Sequence, residues 1–288
     1  MKLLNQTINA DCLDVCKKIP DNYIDLIVTS PPYADARKWH YGGLHPDRFA
    51  SWLLERTLEF HRILKPTGTF ILNIKERVFK GERHTYVIET ILGMRNQGWL
   101  WTEEIIWHKK NCYPGKWPNR FRDAWERCLQ FNKNKNFKMF QEEVMVPMGE
   151  WADKRLKSLG KNDIVRFESQ TKSKYGKNIS NWIGREMAYP SNVLHLSTEC
   201  SNKNHSAVFP EALPEWFIKL FTKANDIVLD PFSGSGTTGV AALKLNRHYI
   251  LIDNNPDFCK LAEERIANGR SHKNPDKKRT DGNSKSTP

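Results

Sequence analysis

Four short apolar runs constrain what this chain can fold into: Asp25–Thr29 (DLIVT), Thr69–Ile74 (TFILNI), Ile227–Asp230 (IVLD) and His248–Asp253 (HYILID). Runs this short, rich in β-branched residues, are expected as strands inside a parallel sheet. Trp101–His108 (WTEEIIWH) reads as a further strand. Between them lie segments with helical spacing: about 47–64, where Phe49, Trp52, Leu53 and Leu58 give apolar spacing, and Tyr86–Gln97, closed by Gly98. Lys65-Pro66-Thr67-Gly68 reads as a turn. Near the end come helices over Pro210–Lys223, Thr237–Leu245 and Asp257–Ala267. The alternation predicts an α/β fold with a doubly wound, mostly parallel sheet.

The first run stops abruptly at Ser30-Pro31-Pro32-Tyr33. Neither proline can donate to a ladder, so the strand must end, and their fixed φ stiffens the backbone and sets its carbonyls. Taken alone the tetrapeptide favours a rigid loop; the rest of the chain raises the odds of a site at the carboxyl end of a sheet.

Net charge is +12 over 288 residues, which points to an anionic partner, nucleic acid first. Residues 109–177 carry 17 Lys plus Arg against 8 Asp plus Glu, so most of the excess sits there. Aromatics are interleaved with it: Tyr113, Trp117, Phe121, Trp125, Tyr175 and Trp182. Basic groups meet phosphates and aromatic planes meet bases, so this region is read as a nucleic-acid surface, although each aromatic alone is better read as local core. Arg120, Arg122 and Arg127 are either phosphate contacts or a solvated face. Residues 270–288 hold no hydrophobic pattern and read as a disordered tail. The first residues lack the long apolar core of a signal peptide, and no run reaches membrane-spanning length, so the expected location is the cytoplasm. Six scattered cysteines complete no zinc site; no metal is implied.

A second loop answers the first. In "VLDPFSGSGTTG", residues 228–239, a strand ends in Asp230 and Gly234 and Gly236 form a tight turn before a helix. Such a loop brings backbone close to a ligand beneath free N–H groups. Asp253 ends the next strand about twenty residues on, where a carboxylate can take both hydroxyls of a ribose. No Lys follows the last glycine, which rules out a nucleotide P-loop, and an acid beside the loop suits an ammonium better than a pyrophosphate. S-adenosyl-L-methionine carries an ammonium and a sulfonium.

TSPPY near the start and DPFSGSGTTG near the end resemble the paired signatures of DNA amino-methyltransferases, which methylate cytosine N4 or adenine N6. Their order resembles the permuted β group, over about Asn9 to Arg265. The resemblance implies a circularly permuted S-adenosyl-L-methionine-dependent methyltransferase fold. Residues 1–110 would be its catalytic half, 111–200 a basic target-recognition insertion, and 201–269 its cofactor-binding half. Ser30, Pro31, Pro32 and Tyr33 would form the catalytic loop. Asp230, Phe232, Gly234, Ser235 and Gly236 would line the methionine end of the cofactor and Asp253 its ribose. "NADCLDV" would bring Asp11 to the adenine amine, and "HSAVFPEALPEWFI" would bring His205, Phe209 and Pro210 over the methionine part. Asp11 is equally readable as a helix cap, His205 as a polar residue before a helix, and Phe232 as core packing.

Exocyclic amines are weak nucleophiles because the lone pair is delocalised into the ring. The Ser30 hydroxyl and the Pro31 carbonyl can accept the two N–H bonds as the amine turns tetrahedral, and Tyr33 can stack on a flipped base. No cysteine nucleophile is needed. Ser rather than Asp at position 30 resembles the N4-cytosine enzymes more often, so cytosine N4 is preferred to adenine N6. The expected partner is double-stranded DNA, with a homodimer one option and a cognate restriction endonuclease a separate chain. Competing readings are an RNA amine methyltransferase and a non-catalytic nucleic-acid-binding protein; the intact SPPY and GSG loops argue against the latter.

Overall fold

The computed structural model describes residues 3–34, 44–112, 114–150, 154, 157, 158, 160, 184–198 and 209–273. Residues 1–140 with 192–288 form one compact unit and 141–191 a second.

The first unit is built on an eight-stranded sheet. In chain order its strands are β1 (Gln6–Asn9), β2 (Ile24–Thr29), β3 (Leu64–Ile74), β6 (Leu100–Lys109), β7 (Trp125–Asn132), β10 (Val193–Leu196), β11 (Ile227–Asp230) and β12 (His248–Asp253). A two-stranded ribbon, β4 (Val78–Phe79) with β5 (Glu82–Arg83), lies between β3 and β6 in the chain. The spatial order is β1-β12-β11-β2-β3-β7-β6-β10. Every neighbouring pair is parallel except the two made by β7. Every residue of β2 and β11 is buried. That is the reason their sequences are uniformly apolar rather than alternating.

Helices cover both faces. On one, α1 (Cys12–Cys16), α2 (Pro46–Ile63) and α3 (Tyr86–Asn96) share a core in which Val15, Phe49, Phe60, Tyr86 and Met94 meet Ile27, Phe70, Leu229 and Ile250. On the other, α4 (Ala212–Phe221), α5 (Thr237–Lys244) and α6 (Pro256–Lys273) pack against β1, β2, β3, β11 and β12. Leu229 and Ile250 point to the first set of helices. Across the sheet Leu251 meets the second set, where a Cβ on Gly239 would lie 2.6 Å from its side chain.

The doubly wound, mostly parallel α/β sheet agrees with the sequence reading. Three details differ. The Lys65–Gly68 segment is not a free turn: β3 starts at Leu64, and the register with β2 shifts between Ile24 and Leu26 to take it up. A Cβ on Gly68 would lie 2.8 Å from the Asp25 carbonyl, so only glycine passes there without displacement. Two segments within the expected 111–200 insertion pair into the sheet. β7 inserts between β3 and β6 through full antiparallel ladders, and β10 adds to the β6 edge, so both belong to the sheet. The tail expected over 270–288 begins as helix to Lys273 and continues outside the described residues.

The second unit has a 3-10 turn at Gln141–Val144 and an antiparallel pair, β8 (Val146–Pro147) with β9 (Met187–Ala188). Within it the Met148 amide donates to the Glu186 carbonyl at 2.9 Å.

Asp25 ties the amino ends of β2 and β11 together. Its side chain is 1% exposed and accepts from Lys65 Nζ (2.7 Å), Lys138 Nζ (3.0 Å) and the Ile227 amide (3.0 Å). Burial alone would raise its carboxyl, but these three donors outweigh it and hold the pKa below 3.8. Asp25→Ala is therefore expected to cost about 2–3 kcal/mol of stability at pH 7. Because the folded pKa is depressed, this contribution is present above the ordinary carboxylate value and disappears as pH falls through the folded one. Urea unfolding of wild type and variant at pH 7 and pH 3 should show the gap narrowing; a gap of equal size at both would refute the ion-pair account.

Candidate active site

β2 and β11 are parallel neighbours, with Val228 opposite Leu26 and Leu229 opposite Ile27, so both end at the same sheet edge. There Thr29 Oγ1 donates to Asp230 Oδ1 at 2.6 Å across 201 residues of sequence. From this pair the chain leaves in opposite directions: β2 runs on through α2 to β3, β11 through α5 to β12 on the other side. Such a reversal opens a crevice outside the carboxyl ends of the strands, where α/β sheets bind ligands. The SPPY loop and the glycine loop are its two walls.

The glycine loop is held from within. Asp230 is 1% exposed and turns its carboxylate into the protein: Oδ1 accepts from Thr29 and from the Phe232 amide (3.2 Å), Oδ2 from Thr238 Oγ1 (2.6 Å). Burial pushes its pKa up to about 6 in spite of these donors. Through these bonds it shapes the loop from within. The half-buried Phe232 packs its ring on Trp52 (centroids 5.4 Å apart) and Phe60 (6.5 Å), at the margin of the main core.

Beyond it, the Ser233 amide donates to the Ile252 carbonyl (2.9 Å), while Ser233 Oγ is buried with no hydrogen-bond partner among the described residues. Gly234 and Gly236 have φ of +49° and +78°. At Gly236 a Cβ would also lie 2.6 Å from the Ala262 Cβ, so the turn excludes a side chain twice over. The Gly234 amide donates to Asp253 Oδ2 (2.8 Å) and the Asn255 amide to Asp253 Oδ1 (2.9 Å). Burial raises the Asp253 carboxyl, with those two amides opposing it. Arg265 of α6 clasps the loop from behind through the Ser235 carbonyl (2.8 Å), Ser235 Oγ (2.7 Å) and Thr237 Oγ1 (3.0 Å). Ser235 is thus engaged by Arg265.

On the facing wall Pro31 is buried and Ser30, Pro32 and Tyr33 are half-buried. Tyr33 Oη donates to Glu126 Oε2 at 2.6 Å, and Glu126 Oε1 accepts from Lys109 Nζ at 2.6 Å. Burial and then the Glu126 charge push the phenol well above its ordinary value, so it stays neutral. Ser30 Oγ and Asn73 Oδ1 each lie 3.4 Å from Tyr33 Oη, too long for strong bonds. The Ser30 hydroxyl therefore keeps acceptor capacity. A cavity of about 270 Å³ opens beside Tyr33, lined also by Lys75, Glu76, Tyr86, Arg120 and Asp123.

Asp11 follows β1, where Asn9 lies opposite Asp253. Its Oδ1 accepts from the Leu13 amide (2.8 Å), capping α1, and its Oδ2 meets Arg56 Nη2 (3.0 Å). Arg56 stacks on Trp52 at 4.3 Å, the ring that supports Phe232. The cap reading holds, and the residue is also brought to the crevice edge with its carboxylate 46% exposed. Phe209 is half-buried and Pro210 buried, with the Pro210 carbonyl accepting from the Leu213 amide at the start of α4. Glu211 beside them pairs with Lys244 at the far end of α5. His205 lies outside the described residues.

Sequence reasoning missed Thr29, Thr238, Glu126 and Arg265. Thr29 and Thr238 directly flank the two motifs, and a buried Asp230 needed donors, so that signal was present. Glu126 and Arg265 carried none: their partners are 93 and 30 residues away.

Residues 24–264 match the DNA methylase family. The chain is 29% identical over 272 residues to the type II methyltransferase M.PvuII of Proteus hauseri, covering 86% of this chain and 79% of that one. It is 29% identical over 273 residues to the type II methyltransferase M.BglII of Bacillus subtilis, covering 94% and 71%. Among solved structures, the cytosine-N4-specific PvuII DNA methyltransferase superposes with a TM-score of 0.67 at 24% identity, over 90% of this chain and 85% of that one. The M1.HpyAVI–SAM complex gives 0.58 at 22%, over 91% and 98%. At that identity both likenesses speak for the fold. The family match spans both walls of the crevice and the sheet between them: this chain belongs to the DNA methylase family.

Proposed function

We propose that this chain is a sequence-specific DNA methyltransferase of a restriction–modification system, acting on the N4 amine of a cytosine flipped out of the duplex. The observation that carries the reading is the abutment of the SPPY loop on the glycine loop, joined by the Thr29–Asp230 hydrogen bond at the sheet's reversal point. The family match supports DNA as substrate; the cytosine-N4-specific and type II relatives support the base and the biological setting.

The residues fit S-adenosyl-L-methionine. A buried Ser233 hydroxyl without a partner among the described residues, a glycine turn closed to side chains and a carboxylate at the end of β12 suit a ligand with polar ends at both sides. Asp253 would hold the ribose, and the backbone of 231–236 the methionine part, with Asp11 at the adenine end. When bound, this cofactor supplies a methyl group already activated on a sulfonium.

The chain's own work is done on the amine. Ser30 Oγ and the Pro31 carbonyl accept its two N–H bonds and turn the lone pair away from the ring, a geometry that exists only as the bond forms. As the N–C bond forms the nitrogen gains positive charge, which these acceptor dipoles stabilise, and one N–H proton is then given up along these hydrogen bonds to solvent. Tyr33 stacks on the base, and the Glu126–Lys109 pair holds its ring by the hydroxyl. Residues 111–200 are read as carrying the target-recognition region, with the compact unit 141–191 inside it. The reading extends to action on the nucleoid in the cytoplasm, to a cognate endonuclease as a separate chain, and is compatible with a homodimer.

Incubation with S-adenosyl-L-methionine and unmethylated genomic DNA, followed by nucleoside mass spectrometry, should yield N4-methylcytosine. N6-methyladenine would keep the reaction and overturn the base; methylated RNA alone would overturn DNA as substrate. The two walls separate kinetically. Tyr33→Ala should lower kcat on the order of a hundredfold while calorimetric cofactor affinity stays within a few-fold, since it removes stacking on the base. Asp253→Ala should weaken cofactor binding by roughly ten- to hundredfold, through lost charge-assisted hydrogen bonds. Equal losses of cofactor binding in the two variants would sink the role assignments.

A further inference from the structure

The loop joining β6 to β7 runs from Lys110 to Ala124 and leaves the carboxyl end of β6, a strand parallel to β2 and β3. It therefore rises from the same sheet edge as the SPPY loop. Its base is anchored: the Lys109 amide donates to the Ala124 carbonyl (2.7 Å), and Asp123 meets Lys75 (3.2 Å) and Arg83 (3.4 Å). Arg120 lines the cavity beside Tyr33 and stacks on Trp117 at 4.4 Å. Next to Arg120, Phe121 is 94% exposed, whereas the next most exposed large apolar side chain among the described residues, Leu92, reaches 55%. So complete an exposure of an aromatic ring on an anchored loop is unlike the scattered apolar residues of an ordinary surface.

We propose that the β6–β7 loop enters the duplex and that Phe121 fills the space vacated by the flipped nucleotide. This deepens the DNA-methylation reading and rests on it. Flipping a base leaves its neighbours without a stacking partner, and an apolar side chain pushed between base steps replaces that contact. Charge favours the same occupant: Lys110, Lys116, Arg120 and Arg122 lie on the same loop, while its one acid, Asp123, is taken up by Lys75 and Arg83. Phosphates on either side of the gap find cations on either side of Phe121. The ring and the cavity share Arg120 as neighbour and lining residue, so a base leaving the stack toward Tyr33 and a ring entering behind it are one concerted exchange.

The test compares wild type and Phe121→Ala on two short duplexes bearing the site mapped from methylated genomic DNA. In one duplex the target base is paired; in the other it faces a mismatch and is already partly unstacked. On the paired duplex kcat/KM should fall about ten- to hundredfold, the range of one lost base–aromatic stack. On the mismatched duplex it should change by less than about threefold, because unpairing there costs little. Phe121→Trp should restore activity on the paired duplex, and Arg122→Ala should reduce the salt slope of DNA binding by about one without this mismatch rescue. An equal loss on both duplexes, or none on the paired one, overturns the wedge while leaving the methyltransferase reading intact. A wild-type protein that methylates neither overturns both. Phe121 touches no core, so the thermal midpoint of Phe121→Ala should match wild type.

Discussion

The site depends on the parallel pairing of β2 with β11. Their residues are far apart in the chain, and side chains stitch the pair at both ends. Asp25 accepts the Ile227 amide at the amino edge, and Thr29 donates to Asp230 at the carboxyl edge. With both strands wholly buried, each of these polar contacts lies where water cannot substitute for it. The two loops that continue the strands are therefore placed by the sheet rather than by their own flexibility. A crevice walled by two such loops is preorganised before any ligand arrives.

β7 has a comparable role on the other side. It is the strand that runs against the rest of the sheet, and by doing so it delivers Glu126 to Tyr33 from a part of the chain with no sequence relation to the SPPY motif. Glu126 is itself neutralised by Lys109 of the neighbouring strand, so a buried carboxylate is tolerated beside a phenol. The same hairpin carries the exposed Phe121 on its loop. One supersecondary element thus holds Tyr33 by its hydroxyl and carries the exposed Phe121.

Much of the fold was legible. DLIVT, TFILNI, IVLD and HYILID are buried on both faces, and burial on both faces leaves an unbroken apolar run that sequence reading detects. The strand WERCLQFN at 125–132 was absorbed into the basic insertion because Glu126, Arg127 and Gln130 interrupt its pattern. Glu126 and Arg127 are satisfied from outside the strand, by Lys109 and by Glu76 and Glu104, while Gln130 meets Asn132 within it. Polar residues paired across a sheet look, one strand at a time, like a loop. The short β10 escaped for want of length.

Sequence by itself determined the chemistry available: a proline-stiffened loop after one apolar strand, a glycine turn after another, an acid one strand later, and a family resemblance resting on their order. Those are local properties, written by backbone sterics in neighbouring residues. Tertiary structure alone decided which way the side chains face. It turned Asp230 inward, packed Phe232 on Trp52, left Asp11 at the crevice edge, paired Glu211 with Lys244 at the end of α5, and gave Tyr33 its acceptor from β7. The reason is physical: a buried carboxylate or hydroxyl goes where its hydrogen-bond partners are, and those partners arrive from strands that only the folded sheet brings together.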